Sequence, residues 1–456
     1  MRFARSKKFT LIFLAIALCT SIIVSHTPTI ATSTPHLAQV DNTAELIKVV
    51  NKMEQKWEKD YENYFRSDLS NWNKSAEAIA QELTKVAAVT GTRPAVLWAW
   101  HTDTGLDIAI ITPGKAPQAY TTVDAGSRQL LATIDDFRRA ITNPRQRENN
   151  SYLAPAQQLY NWLIKPVEAQ LQQEKIDTIL FCVGGGLRST PLAALHDGKN
   201  FLIEKYNIAL IPAYNLISTD HQPLKNSQIL GMGASEFITL NPLPAVPVEL
   251  SAITQDIWSG QSYLNEEFTL ANLKSRSGAI ARQLNPAKPI NIIHLATHAE
   301  FQPGDPENSF IQLWGKEKLN LKEMENLGWN NPPVELLVLS ACRTALGDKN
   351  AELGFAGLAI QAGVKSALAS LWYVSDAGTL ALMTEFYQQL KNSPIKSAAL
   401  RNAQLQMIQN KLRVEAGEVR SIRGAVVLPP TLTDNIDTNL SHPYYWAAFT
   451  LIGNPW

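Results

Sequence analysis

The sequence predicts an α/β protein: a largely parallel sheet with helices on both faces, preceded by a short helical N-terminal segment. Two observations carry this reading. From residue 178 to the C-terminus, apolar strand-like runs such as TILFCV (178–183), NIIHLATHAEF (291–301) and LLVLSAC (336–342) alternate with helix-periodic stretches. The chain is also long enough, at 456 residues with 45% hydrophobic and 18% charged residues, for one large or two medium globular domains. Lys plus Arg and Asp plus Glu both number 41, so the net charge of zero gives no electrostatic footprint for nucleic acid or anionic lipid.

Residues 1–38 read as a secretory signal peptide. Arg2, Arg5, Lys7 and Lys8 give a basic start, Phe9 to Val24 is an apolar run, and small or polar residues follow through Ala31 and Ala38. The run falls a little short of the ~20 apolar residues of a spanning helix and is interrupted by Thr10, Thr20 and Ser21, so a membrane anchor is the minority alternative. The expected location is therefore secreted, periplasmic or cell-envelope. Leu18 before Cys19 is not the small residue a lipoprotein cleavage box requires.

Residues 41–91 read as a helical N-terminal segment. Leu46, Val50, Met53, Trp57, Tyr61 and Tyr64 recur at steps of three and four, which makes one helix face apolar, and Asn42 with Glu45 forms a plausible cap. A second helix carries Ile79, Leu83 and Val86 in step and ends near Gly91. The main domain is expected over 92–456. It opens with a strand meander, AVLWAWHT, LDIAIIT and QAYTTVD, separated by DTG and PGK turns. Helical stretches follow around 126–141 and 152–173. The proline-rich NPLPAVPVE (241–249) and the polar stretch 413–441 read as loops, the second as a surface insertion.

The candidate chemistry lies at two strand ends. In an α/β sheet the loops after the C-terminal ends of strands open onto a crevice, and here those ends carry His298 and Cys342. Forty-four residues separate them, room for one loop, the strand-like FIQLW and the helix-like NLKEMENL between adjacent strands. A free thiol has a pKa of roughly 8.5, so an imidazole neighbour is needed to raise the thiolate fraction or accept the proton. His298 is the candidate partner of Cys342. HLATH places His294 four residues before His298, but leucine stands where a zinc-peptidase helix needs glutamate, and no third ligand is evident, so no metal is expected. GGGLRST (184–190) lacks the Lys–Ser/Thr ending of a phosphate loop and reads as a tight turn. No cofactor is implied. Cys182, inside TILFCV, reads as a buried structural thiol, with a Cys182–Cys342 bridge as the lesser alternative.

The stretch from Ile290 to Leu390, with HLATHAEF, LSACRTALGD, GLAIQAGVKSALASLW and TLALMTEFYQQL, resembles the CHAT domain family of caspase- and separase-like cysteine peptidases. HPYYWAAFTLIG (442–453) and GGGLRSTPLAALHDG (184–198) match its pattern too, so the resemblance covers roughly residues 150–456. It implies a caspase-like sheet and peptide-bond hydrolysis by a Cys342–His298 dyad, with protein or peptide substrates. It also implies an oxyanion hole of backbone N–H groups near the nucleophile and just after the histidine. There the family usually has glycine and this chain has Ala299, whose Cβ adds strain if the position requires positive φ. Asp376 stands where separase-like relatives hold an acid that receives a basic side chain; its ordinary alternative, shared with Ser375, is a helix cap. The contrasting expectations are a catalytically degenerate scaffold acting as an interaction module, and a structural envelope protein.

Overall fold

A computed structural model describes residues 37–39, 43–69, 74–147, 149–432 and 439–456. The expected signal segment lies outside the described residues except for Leu37 and Ala38, which belong to a short strand.

One 14-stranded sheet organises the chain. Its first edge is antiparallel: the short strand Leu37–Gln39, then the meander expected from the sequence, Gln118–Thr122, Leu106–Ile111 and Pro94–His101. Pro94–His101, Thr178–Val183 and Asn207–Ile211 then run parallel. A second parallel block comprises Ser366–Ser370, Leu336–Thr344, Ile290–Phe301, Gln228–Gly233 and Gly260–Leu264. The C-terminal strand Phe449–Gly453 joins the blocks, parallel to Asn207–Ile211 and antiparallel to Ser366–Ser370. The two blocks therefore point in opposite directions, and the strands of one begin at the edge where those of the other end. The sheet is mixed, mostly parallel, with helices around it.

Why these residues form strands is plain from their burial. Thr178–Val183, Asn207–Ile211 and Ser366–Ser370 are buried at every position, the pattern of strands covered on both faces. Each Leu or Ile so buried contributes about 1.5–3 kcal/mol of transfer free energy. The first helix, Thr43–Phe65, buries Leu46, Val50, Trp57, Tyr61 and Phe65 along one face, as its periodicity predicts. Glu54 is buried on it too, accepting from Trp98 Nε1 at 2.6 Å and from the Tyr214 and Asn215 amides. Cys182 donates to the same carboxylate at 3.8 Å and is a free, buried thiol. The second helix, Ala76–Thr90, is capped by Ser75 and stops at Gly91, whose φ of 71° only glycine adopts freely.

Four local expectations are revised. The stretch 152–173 is two helices, Leu153–Leu163 and Lys165–Gln173, because Pro166 lacks the N–H that would continue the first. NLKEMENL is a 3-10 helix, Leu321–Leu327, held by an Asn320–Glu323 capping box. The polar stretch after residue 413 is no featureless loop: Arg413–Glu415, Glu418–Ser421 and Gly424–Val427 form a three-stranded antiparallel sheet, with Val414 and Val419 buried between charged neighbours. The proline-rich stretch begins as a loop and turns helical at Val246–Ser251, with Pro247 in the first turn.

The GGGLRST segment is the tight turn expected. Glu352 accepts from the Gly186 amide at 2.8 Å and pairs with Arg138 at 3.0 Å, while Arg138 also donates to the carbonyls of Gly186 and Ser189. These partners fix the turn from inside the protein.

Candidate active site

His298 lies on Ile290–Phe301 and Cys342 on Leu336–Thr344, strands that pair directly in parallel. Both strands continue past these residues, by three and two positions, so the pair sits within the ends of the sheet. The ladder is irregular just before the site. Leu339 pairs with Leu295, but Ala341 pairs with His298, so the histidine strand carries one extra residue there. Such a bulge re-aims the side chains that follow.

His298 is 4% exposed, and both ring nitrogens are engaged. Nε2 lies 2.8 Å from the carbonyl oxygen of Asn241, and Nδ1 lies 2.8 Å from the Tyr373 hydroxyl. A carbonyl can only accept, so Nε2 carries the proton and Nδ1 keeps the basic lone pair, which takes the Tyr373 O–H. Burial holds the imidazole below its ordinary pKa, with the Asn241 carbonyl and Glu300 opposing, so the ring is neutral at pH 7. The Phe237 ring packs 4.6 Å from the imidazole and the Tyr373 ring meets it edge-on at 5.2 Å.

Cys342 is fully buried. Its Sγ donates to the Leu339 carbonyl at 3.4 Å, and its amide and carbonyl both meet Ser370 Oγ, at 3.2 and 3.0 Å. Burial pushes the thiol up to about 12, the Ser370 contact opposing, so the resting group is a thiol and not a thiolate. Register sets Cys342 beside Ala299, one step beyond His298, and no hydrogen bond joins thiol and imidazole. Ala299 is buried in a ladder between Cys342 and Ile311 and is absent from the positive-φ positions, so its Cβ carries no backbone strain.

Asp376 opens the helix Asp376–Leu390, but the cap is Ser375, whose side chain accepts from the Gly378 amide at 3.3 Å. Asp376 Oδ2 instead accepts from the Ala245 amide at 2.7 Å. Burial, the Ala245 contact opposing and Glu249 assisting, raises this carboxyl to about 7. The structure thus gathers His298, Tyr373 and Asp376 around the segment Phe237–Ala245, with Cys342 on the adjoining strand. Tyr373, Phe237 and the Asn241 carbonyl were not identified from the sequence. Position Tyr373, just past the SALASLW run, was the one available signal.

His294 is a core residue, bonded through Nε2 to Glu249 at 2.8 Å and through Nδ1 to Tyr387 at 3.1 Å, all three side chains fully buried. Among the described residues no cluster of His, Cys, Asp and Glu is arranged to hold a metal ion.

Chains in two crystal structures of the Saccharomyces cerevisiae separase–securin complex are similar in fold. The identities are 11% and 12% and the TM-scores 0.47 and 0.48, covering 91% of this chain in each case. The chain spans about a third of those chains, 34%. No curated protein matches the sequence. The CHAT domain model matches residues 153–454, which include both strands of the site, the turn at 184–190 and the central C-terminal strand. The chain belongs to the CHAT domain family.

Proposed function

We propose that this protein is a cysteine endopeptidase in which Cys342 is the nucleophile and His298 the base. The observation that carries this is the placement of the two residues one register step apart on directly paired strands, with the imidazole fixed in the tautomer that leaves Nδ1 basic. The Asn241 carbonyl does for this histidine what an orienting acceptor does in a triad: it holds tautomer and ring plane. In the reaction the thiol proton passes to Nδ1 and the sulfur attacks the peptide carbonyl. The imidazolium then returns the proton to the leaving amine, and water, deprotonated by the same nitrogen, hydrolyses the thioester. Backbone amides near Cys342 and after His298 are the candidate donors to the oxyanion. To begin, Cys342 must turn away from the Leu339 carbonyl and Tyr373 must release Nδ1.

We further propose protein or peptide substrates, with Asp376 receiving a basic side chain before the scissile bond, and an exported location for the mature chain. The second reading, a non-catalytic interaction scaffold, is favoured by the thiol's burial and by the occupied imidazole.

Incubation with a peptide library, read by mass spectrometry, together with labelling by a thiol-directed peptidase probe, separates the two. Cys342→Ala and His298→Ala should each abolish turnover with the fold intact, and the double variant should cost little more than either, as for residues acting as a unit. Wild-type turnover in either single variant would remove the dyad, and wild-type labelling that ignores His298→Ala would favour the scaffold.

A further inference from the structure

The polar stretch after residue 413 carries an open strand edge. Gly424–Val427 is the outer strand of the three-stranded sheet and pairs on one side only, with Glu418–Ser421. The ladder says which of its backbone groups are in use. Ser421 faces Gly424 and Val419 faces Val426, and one step further the Leu428 amide donates to the Gly417 carbonyl at 2.9 Å. Amides alternate in direction along a strand, so Leu428, Val426 and Gly424 turn theirs inward, and the N–H and C=O groups of Ala425 and Val427 point out of the sheet. Among the described residues no backbone partner meets them.

Natural proteins blunt such an edge with charge, proline or a covering element. Neither a charged residue nor a proline lies within Gly424–Val427; Pro429 and Pro430 follow it. Val426 turns inward with buried Val414 and Val419, while Val427 is 66% exposed and Ile422, in the hairpin turn, 71%. The strand's length, four residues, sets the size of what can pair with it: a short extended segment.

Charge says which kind. Lys411, Arg413, Arg420 and Arg423 belong to this sheet and its flanks, against Glu415 and Glu418. Glu415 pairs with Arg413 at 3.0 Å and with Arg420 at 3.8 Å, and Glu418 pairs with Arg420 at 3.0 Å. Exposed Arg423 and Lys411 have no carboxylate in ion-pair range among the described residues. The helix acid near Arg423, Glu385, is buried and accepts from Gln389 at 2.6 Å; even counting it, cations outnumber carboxylates. A second copy of this chain would bring the same excess of positive charge to the edge, whereas an acidic strand meets the opposite sign.

We propose that the edge Gly424–Val427 takes up one extended segment of a partner protein as an added antiparallel strand, apolar at alternate positions and acidic at its C-terminal end. Main-chain bonds to Ala425 and Val427 hold it, Val427 and Ile422 meet its apolar side chains, and Arg423, at the start of the strand, meets its acid. The sheet packs against the helix Asp376–Leu390, so a partner held here is held beside the element that opens next to Tyr373 and Asp376.

The test uses the deuterated, ¹⁵N-valine-labelled full chain carrying Cys342→Ala, which keeps peptides intact whatever the activity, and the peptide acetyl-Thr-Val-Thr-Val-Asp-Asp-amide. Val427→Ala and Val426→Ala assign the two amide resonances. The expected result is a saturable downfield shift of the outward Val427 amide, with the inward Val426 amide moving less. The same peptide with lysines in place of the aspartates should bind at least tenfold more weakly, and Arg423→Glu should weaken the aspartate peptide as much. Val427→Pro removes an outward N–H and no bond to Glu418–Ser421, so the thermal unfolding midpoint should stay near that of the parent chain while binding falls at least tenfold. Should that variant not fold, the lysine peptide and Arg423→Glu still decide. No saturable Val427 shift at millimolar peptide, or equal binding of the lysine peptide, would overturn the proposal. So would a Val427 shift that follows chain concentration without peptide, which would assign the edge to a second copy.

Discussion

Replacing Asp376 by Asn should stabilise the protein at alkaline pH and leave it unchanged in acid. The carboxyl is raised from 3.8 to about 7 by burial beside Glu249, although the Ala245 amide donates to it. A carboxyl whose folded pKa is raised keeps its proton longer in the native state than in the unfolded one. Its contribution is therefore fully present below the unfolded value and is lost as pH climbs toward about 7. A rise of about three units at 1.36 kcal/mol each gives a ceiling of ~4 kcal/mol, and partial solvent access brings the expected loss to about 2–4 kcal/mol. Asparagine matches the protonated carboxyl in shape, can accept from the Ala245 amide, and does not titrate. Urea denaturation across a pH series should then show the variant and wild type together below about pH 4, diverging up to about pH 7 and level above it, with the variant ahead by about 2–4 kcal/mol at pH 8.5. Parallel curves would mean that Asp376 is ionised in the folded state throughout, and the argument from its burial would be refuted.

The same substitution reads the proposed specificity. If Asp376 receives a basic side chain, Asp376→Asn should lower cleavage after Arg relative to Leu by roughly tenfold or more, the worth of a charge-assisted hydrogen bond of ~1.5–3 kcal/mol. Wild-type preference for Arg should also rise with pH through neutrality, as the carboxylate forms. An unchanged ratio would leave Asp376 a holder of the Ala245 segment alone.

Tyr373→Phe removes the hydroxyl that occupies Nδ1 of His298, so alkylation of Cys342 by iodoacetamide should quicken by roughly 2–10-fold, the equivalent of one net hydrogen bond; slower alkylation would assign Tyr373 a helping role. Glu352→Ala strips the partner from buried Arg138 and should cost about 3–5 kcal/mol in urea denaturation, whereas a loss below about 1 kcal/mol would show that the 184–190 turn holds itself. Mature protein recovered from its host should begin between Ala31 and Asp41 by N-terminal mass spectrometry, and an intact Met1 in the membrane fraction would favour the anchor.

What was legible in the sequence is what local pattern encodes. Continuous apolar runs announced the doubly covered strands, and the spacing of Leu46, Val50, Trp57 and Tyr61 announced the face of the first helix. His298 and Cys342 were visible as reactive types at the ends of such runs. The Arg413–Val427 meander was hidden because its valines alternate with charges, which reads equally as an exposed loop. Glu54 was hidden for a related reason: a glutamate on a helix reads as solvated, and its partners, Trp98, Tyr214 and Asn215, are brought to it by tertiary structure. Tyr373 and Asn241 meet His298 from 75 and 57 residues away, and Asn241 acts through its backbone carbonyl, which leaves no mark on residue type.

That backbone contact gives the proline-rich segment its meaning. Pro242 and Pro244 fix φ and restrict the chain on either side of Leu243, whose amide is bonded to the Ser235 carbonyl at 2.9 Å. Ser235 is tied in turn to Asn265 at 2.9 Å, and Ala245 to Asp376 at 2.7 Å, so the loop is anchored at both ends. Between the anchors, Asn241 holds Nε2 of His298 and Phe237 packs on its ring. An ionised Asp376 accepts more strongly from Ala245 than a protonated one, and so holds the loop, and through it the imidazole, more firmly. The orientation of the proposed base and the charge of the proposed pocket acid are therefore linked through one short stretch of restrained backbone.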